Sequence, residues 1–176
     1  MSVRFKASND VYELLYSIVE KYHPHLEKCK FAIEFVDSKP YLNDRMNLGK
    51  VSFFSKSAKL WLPEDHRYDF IITLCVDVWT QILKNDDKRS CLLDLQLCRC
   101  KLQYEPEYTI VNGKKKKAVD ELGCIVYSND PKLDDEGGFL YSIHPLDFQT
   151  ISENIRHYGC WFEEIQNLQN ALKENQ

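Results

Sequence analysis

The chain has 176 residues, 44% of them hydrophobic and 12% aromatic, which predicts a folded protein with its own core and excludes a disordered chain. Lysine and arginine number 23 against 27 acidic residues, and the net charge of −4 disfavours direct binding of nucleic acid. There is no apolar run of membrane-spanning length and no signal-peptide segment, so the seven irregularly spaced cysteines predict reduced thiols and a soluble protein of the cytoplasm.

The first predicted element is an amphipathic helix from about Asn9 to Tyr22. Its apolar residues recur with the period of one helical face, polar residues supply N-cap candidates at its start, and Pro24 ends it. Strands are predicted after this helix. They are FAIEFV at residues 31–36, LGKVSFFS from residue 48, AKLWL ending at residue 62, and FIITLCV at residues 70–76.

A short helix and a longer, buried helix are predicted next. Asp77 is the expected cap of the short helix, and Asn85 precedes the longer one. The segment KRSCLLDLQLCRCKL (residues 88–102) is apolar almost all the way round, which predicts a helix that is buried on most faces. Its polar members, which need an explanation, are Asp94, Gln96 and Arg99.

Residues 104–141 have the character of an irregular hairpin with long loops. Asn112-Gly113 is a strong hairpin-turn pair, a lysine run follows it, and an acidic stretch occupies residues 128–138. Two helices are predicted to close the chain. The first begins near Pro145 and is broken by Gly159, and the second carries an apolar stripe at residues 161–172.

The segment LLDLQLCRC, residues 92–100, has the spacing of a zinc-hydrolase motif without its chemistry. That motif, HExxH, places two histidines four residues apart on one helical face, with a glutamate as the base. The corresponding positions hold Leu95, Gln96 and Arg99. From the residues alone, an ordinary core helix with a buried amide and a paired arginine is the favoured interpretation.

Together with other segments, this helix resembles that of the phage metallopeptidase family, which reads LLDHELCHC. The chain also matches the family's phrases at residues 22–26 (YHPHL), 48–51 (LGKV), 68–72 (YDFII) and 158–159 (YG). The resemblance covers about residues 8 to 172 and is weakest after Cys100. It implies an α+β, zincin-like single domain over residues 1–176, in which a small mixed sheet packs with several helices and residues 101–140 form an irregular β-hairpin insertion.

The same resemblance implies a degenerate member without metal-binding and catalytic residues. The family's first histidine falls on Leu95, its catalytic glutamate on Gln96, its second histidine on Arg99 and its third ligand on Leu146. Leucine cannot coordinate zinc, and an amide cannot take a proton from water. A guanidinium about 4 Å from a dication costs about 8 kcal/mol at an effective dielectric of about 20. We therefore expect no catalytic residue, no metal and no other cofactor.

Arg99 then requires a different partner. Its guanidinium predicts an ion pair with Asp147 or Asp94, a structural bridge in the volume that the metal would otherwise occupy. An external ligand for Arg99 is the alternative.

Loss of the catalytic groups on a retained scaffold predicts a pseudoenzyme that binds another protein. Because the resemblance is to phage and prophage proteins, we expect the host cytoplasm as its location and a host defence protein as its partner. Inhibition of an RNA-guided nuclease, as by anti-CRISPR proteins, is one concrete form. The contact is expected at the lysine tip and acidic loop of the insertion, although a solvated turn is the simpler interpretation of the lysine run. The candidate binding residues are Lys115, Lys116, Asp134, Asp135 and Glu136.

The alternative is a hydrolase with displaced groups. A metal-dependent enzyme would use His144, His157 and His23, and a thiol-dependent enzyme would need a cysteine beside a histidine such as His157. Against the metal version, His23 and His25 lie at a predicted helix end, where a surface capping role is favoured. A structure with no two histidines within metal-ligand distance of each other would remove it.

Overall fold

The computed structural model describes residues 3–43, 45–134, 137–161 and 166. They divide into two compact units, one made of the residues up to 99 and those from 143 onward, the other Cys100–Ser142. The helices of the first unit are α1 (Asn9–Tyr22), α2 (Lys56–Trp61), α3 (Asp86–Leu97) and α4 (Phe148–Tyr158), with single turns at Pro24–Leu26, Glu64–His66 and Val78–Ile82. Its strands are β1 (Arg4–Lys6), β2 (Phe31–Val36), β3 (Tyr41–Leu42), β4 (Arg45–Met46), β5 (Lys50–Phe53) and β6 (Phe70–Cys75).

A four-stranded mixed sheet, in the order β1-β2-β6-β5, forms one layer of the first unit. Strands β2 and β6 are parallel, whereas β1 and β5 pair antiparallel to their neighbours at the two edges. β6 is central and almost entirely buried, as expected of its continuous apolar run, and β2 alternates between buried and half-buried residues. This mixed content confirms the predicted α+β fold class.

The helices supply the other side of the core. α1 buries Val11, Leu15, Ile18 and Val19 along one face, as its periodicity predicts. α3 is buried at every residue from 90 to 97, which confirms that this helix lies inside the unit, and it packs against α1 and α4. The Asn85 side chain caps α3 by accepting a hydrogen bond from Lys88 N at 3.0 Å.

Three predicted elements differ clearly from the structure, one in its type and two in their bounds. The predicted strand AKLWL is helical, because the Ser55 hydroxyl accepts from Ala58 N and starts α2. The buried helix ends at Leu97 instead of continuing to residue 102, since the chain turns there into a strand. The helix predicted near Pro145 starts at Phe148. The last predicted helix, apart from Trp161 and residue 166, lies outside the described residues.

The second unit consists of short antiparallel pairs. Its strands are β7 (Cys100–Leu102), β8 (Tyr104–Pro106), β9 (Tyr108–Val111), β10 (Lys114–Lys117), β11 (Tyr127–Pro131) and β12 (Tyr141–Ile143), which pair as β7-β12, β8-β11 and β9-β10. Asn112 and Gly113 form the turn between β9 and β10 with φ of 53° and 73°, which confirms the predicted hairpin. The bounds of this unit, Cys100–Ser142, are close to those of the predicted insertion at residues 101–140. The assignment of the whole chain to a single domain stays a prediction.

Candidate functional site

The positions that the resemblance assigns to catalysis lie on α3 and directly after it. Gln96 is buried in α3, and its Nε2 donates a hydrogen bond to Leu48 O at 2.7 Å. Arg99 donates from Nη1 to Gln96 Oε1 at 3.1 Å and from Nε to His144 O at 3.0 Å. The pair thereby connects α3 to the segment before β5 and to the segment before α4.

The donor set at these positions does not fit the zinc ion that the fold family implies. Leu95 is fully buried hydrocarbon, and the amide of Gln96 is hydrogen-bonded at both ends. Arg99 places a permanent cation beside that amide. Leu146, at the position of the third ligand, is exposed and equally unable to coordinate a metal. No reaction step through a metal at this position follows from these residues.

Arg99 was predicted to form an ion pair with Asp94 or Asp147. The two hydrogen bonds of its guanidinium described above go instead to uncharged oxygens, those of Gln96 and His144. Asp147 instead caps α4, where its Oδ1 accepts from Thr150 N at 3.0 Å and from the Thr150 hydroxyl at 3.1 Å. The backbone hydrogen bond from Thr150 is the main reason why the pKa of Asp147 lies below its usual value.

An apolar cavity of about 480 Å³ has both Leu48 and Leu146 in its wall. The other lining residues are Leu42, Arg45, Met46, Asn47, Gly49 and Ile151. The position of the family's third ligand therefore contributes hydrocarbon to a hollow that suits an apolar group.

A second polar cluster surrounds Asp94. Its Oδ1 accepts from His23 Nε2 at 2.7 Å, and both carboxylate oxygens lie 3.0 Å from His157 Nδ1. Its Oδ2 also accepts from Asn154 Nδ2 at 2.7 Å and from Cys98 Sγ at 3.5 Å. Since Asp94, His23, Asn154 and Cys98 are buried, these groups satisfy one another in place of water.

Neighbouring side chains hold this cluster in place. Trp161 Nε1 donates to Asn154 Oδ1 at 2.6 Å, and the ring of Tyr22 stacks on His157 with centroids 4.1 Å apart. Burial by itself raises the pKa of Asp94, but the hydrogen bonds from His23, Asn154 and His157 outweigh burial and hold that pKa below its usual value. Asp94 is therefore a buried carboxylate that is ionised at neutral pH.

The structure corrects the prediction for His23 and brings together two of the three displaced histidines. His23 was expected at the surface, yet it is fully buried at the end of α1, with its ring centroid 5.6 Å from that of His157. His144 is exposed and contributes its backbone carbonyl to Arg99. One ligand atom from each of His23, Asp94, Cys98 and His157 lies within 4.8 Å of the other three, so these residues can hold a metal ion.

The sequence contained one signal for this cluster. Asp94 and Cys98 are four residues apart, the spacing at which ligands share a helical face, and they precede the Leu95 and Arg99 positions by one residue. The contact between His23 and Asp94 joins residues 71 positions apart. No local pattern reports a contact of that range.

Cys98 and Cys91 do not have the surroundings of a catalytic nucleophile, which is partly exposed and has a lowered pKa. Cys98 is fully buried and its thiol donates to Asp94. Cys91 is also buried, and burial together with the charge of Asp94 raises the pKa of its thiol to about 12. Substrate access to either thiol would require the helices around it to separate.

The lysine tip of the second unit lies on the β9–β10 hairpin. Lys115 pairs with Ile110 and Lys117 with Tyr108, so these four residues share one face of the hairpin. Lys115 Nζ lies 4.1 Å from the centroid of Tyr108, a cation–π contact. Lys116 is exposed on the opposite face.

The acidic loop is described only in part. Asp134 Oδ1 accepts from Gly138 N at 2.7 Å, and Asp134 N donates to Gly138 O at 2.8 Å. The Asp134 carboxylate therefore stabilises its own turn. Asp135 and Glu136 lie outside the described residues.

Large apolar side chains are exposed throughout the second unit. Leu122 is 89% exposed and Ile110 is 81% exposed. The others are Tyr104, Tyr108, Val111, Val119, Ile125, Tyr127, Leu133 and Phe139.

In the parts of the chain that the structure describes, no helix combines the length and the apolar character needed to cross a membrane.

Comparison with known proteins places the chain in a family. No curated protein and no solved structure matched the chain. The family model described as "Putative phage metallopeptidase" matches residues 3–173, which is nearly the full length. The chain therefore belongs to this phage metallopeptidase family.

Proposed function

We propose that this member of the family does not hydrolyse peptides at the family's catalytic position and acts by binding another protein. The hydrogen-bonded pair of Gln96 and Arg99 carries the proposal. A zinc hydrolase needs three protein ligands, an open position for water and a base. A neutral amide and a permanent cation stand at two of these positions, and neither can take a proton from water.

The β9–β10 hairpin is the proposed contact surface. A two-stranded hairpin is marginally stable by itself, and each residue of β9 and β10 is exposed. Its Tyr108 and Ile110 offer apolar area, and the neighbouring lysines offer positive charge. This combination suits a partner surface with an apolar pocket and an acidic rim.

A host defence protein is the proposed partner class, because the family is one of phage proteins. Inhibition of an RNA-guided nuclease is the concrete form that we propose to test. The inhibitor would act through the hairpin and would require no catalytic turnover, so one copy would block one nuclease.

The test is co-expression of the full chain with a panel of RNA-guided nucleases, in which survival of a targeted plasmid is scored. We expect the chain to protect the plasmid from at least one nuclease and to bind that purified nuclease. Ile110→Lys should abolish protection, since it places a charge on the contact face without disturbing a buried residue.

The matched control is Leu60→Lys, since Leu60 is 78% exposed in the first unit. Protection by the Leu60→Lys variant and its loss in the Ile110→Lys variant would support the proposal. Loss of protection through Leu146→Arg, with Ile110→Lys still active, would move the contact to the apolar cavity. Failure to protect against every nuclease in the panel would contradict the inhibitor form.

A further inference from the structure

We propose that His23, Asp94, Cys98 and His157 form a structural site for a zinc-type divalent cation, at residues different from the family's ligand positions. Two imidazole nitrogens, one carboxylate oxygen and one thiolate sulfur are all ligands that zinc accepts. These four groups lie within 4.8 Å of one another in the first unit. The inference is independent of the proposed protein-binding function.

The ligand spacing is close to that of a tetrahedral zinc site. With zinc–nitrogen distances of about 2.0 Å and zinc–sulfur distances of about 2.3 Å, adjacent ligand atoms lie about 3.3–3.8 Å apart. The corresponding contacts of Asp94 are 2.7 Å to His23, 3.0 Å to His157 and 3.5 Å to Cys98. Small outward movements of the two rings would therefore admit the ion.

Helix geometry supplies the arrangement. Asp94 and Cys98 lie on one face at the end of α3, with Cys98 as its C-cap residue. His23 immediately follows α1, and His157 lies in the last turn of α4. A cation here would cross-link the ends of three helices.

The two ring nitrogens of His23 have different roles at this site. Nε2 lies 2.7 Å from Asp94 Oδ1 and is the nitrogen that would bind the ion. Nδ1 is a buried nitrogen without a hydrogen-bond partner among the residues that the structure describes. Since a metal-bound imidazole donates its other N–H to a further group, we expect a buried water molecule at Nδ1.

The ligand count assigns the ion a structural role. Four protein ligands fill a tetrahedral zinc site and leave no position for a reacting water. His23, Asp94 and Cys98 are fully buried, while the side chain of His157 is 17% exposed and offers the entry path. On binding, the Cys98 thiol gives up its proton to solvent and the coordinating imidazole nitrogens carry none.

The test uses tag-free full-length protein that has been stripped with a chelator and titrated with Zn²⁺ and with Co²⁺. We expect one equivalent of bound metal by mass spectrometry and a higher thermal midpoint with Zn²⁺. With Co²⁺ we expect the visible bands of a tetrahedral site and the near-ultraviolet charge-transfer band of a cobalt thiolate. The cobalt spectrum requires no substitution, so it remains informative where a variant fails to fold.

Cys98→Ser and His157→Gln should each weaken zinc binding by at least about 100-fold, because even outer-shell changes cost 10–100-fold. Cys124→Ser and His66→Gln are the matched controls, since both residues are exposed, and they should bind zinc as the parent does. Three results would each overturn the site: a folded parent that binds no metal, a cobalt complex without the thiolate band, or zinc binding that Cys98→Ser and His157→Gln leave intact.

Discussion

Arg99 Nη1 lies 3.1 Å from Gln96 Oε1, and each of these two side chains also bonds to a backbone carbonyl of a distant segment. The amide of Gln96 reaches Leu48, and the guanidinium of Arg99 reaches His144. The pair is therefore part of the internal framework of the first unit. This gives the residues at the catalytic positions a role in stability that can be measured.

Gln96→Ala should destabilise the fold, because it leaves the half-buried Leu48 without the donor to its carbonyl and removes one acceptor of Arg99. We expect a loss of about 1–3 kcal/mol in the free energy of unfolding. Urea denaturation of the metal-free protein measures it. Gln81→Ala is the matched control, since Gln81 is exposed and its amide donates to the nearby Asp77, and it should change stability by about 0.5 kcal/mol or less. Equal losses in the two variants would contradict the framework role.

Gln96 and Arg99 should also be energetically coupled. Arg99→Met removes the donor to Gln96 and the donor to His144 while it keeps hydrocarbon in place. A double-mutant cycle of Gln96→Ala and Arg99→Met should give a coupling free energy of about 0.5–1.5 kcal/mol. Strict additivity of the two losses would show that their hydrogen bond contributes nothing to stability.

Asp94→Ala should be the most destabilising of these substitutions. It removes the acceptor that His23, His157 and Asn154 share, and leaves the fully buried Nε2 of His23 without its acceptor. We expect a loss of about 3–5 kcal/mol. Urea unfolding with a chelator present isolates the hydrogen-bond contribution from that of any metal.

Asp147→Ala is the control for Asp94→Ala. It removes an exposed carboxylate that caps α4, and should cost about 1 kcal/mol. A loss for Asp94→Ala no larger than that of Asp147→Ala would contradict the central position of Asp94.

The thiols should differ sharply in reactivity. Cys124 is exposed and should react with an alkylating reagent at pH 8 within minutes. Cys91 should be protected, because burial and the charge of Asp94 raise the pKa of its thiol to about 12, and Cys98 should be protected by burial. Mass spectrometry of the labelled peptides measures the order in which the thiols react, with urea-unfolded protein as the control. Fast labelling of Cys98 in native protein would revive the thiol-hydrolase alternative.

Sequence patterns predicted the elements in which local periodicity and burial agree. The apolar stripe of α1 gave the bounds Asn9–Tyr22, and the β-branched run of β6 identified a central strand. AKLWL was wrongly predicted as a strand because its aliphatic residues alternate with other residues as in a half-buried strand. In the structure Leu60 and Trp61 are both strongly exposed on a short helix, so the alternation does not reflect burial.

The candidate site was predictable at the positions that a motif covers and not elsewhere. The resemblance of LLDLQLCRC placed the family's catalytic positions at Leu95, Gln96 and Arg99, and the structure joins Gln96 and Arg99 by a hydrogen bond. The environment of Asp94 depends on residues from three helices that are distant in sequence. Only the packing of α1, α3 and α4 brings His23 and His157 to it.

A search for metal-dependent peptide hydrolysis decides most directly whether this chain is a pseudoenzyme. Zinc-loaded, tag-free protein is incubated with a proteome-derived peptide library, and new peptide termini are identified by mass spectrometry. We predict no new termini beyond those of a chelator-treated sample, even where one equivalent of zinc is bound. New termini that the chelator abolishes, and that Gln96→Ala or Arg99→Met reduces, would instead show that this chain is a peptidase.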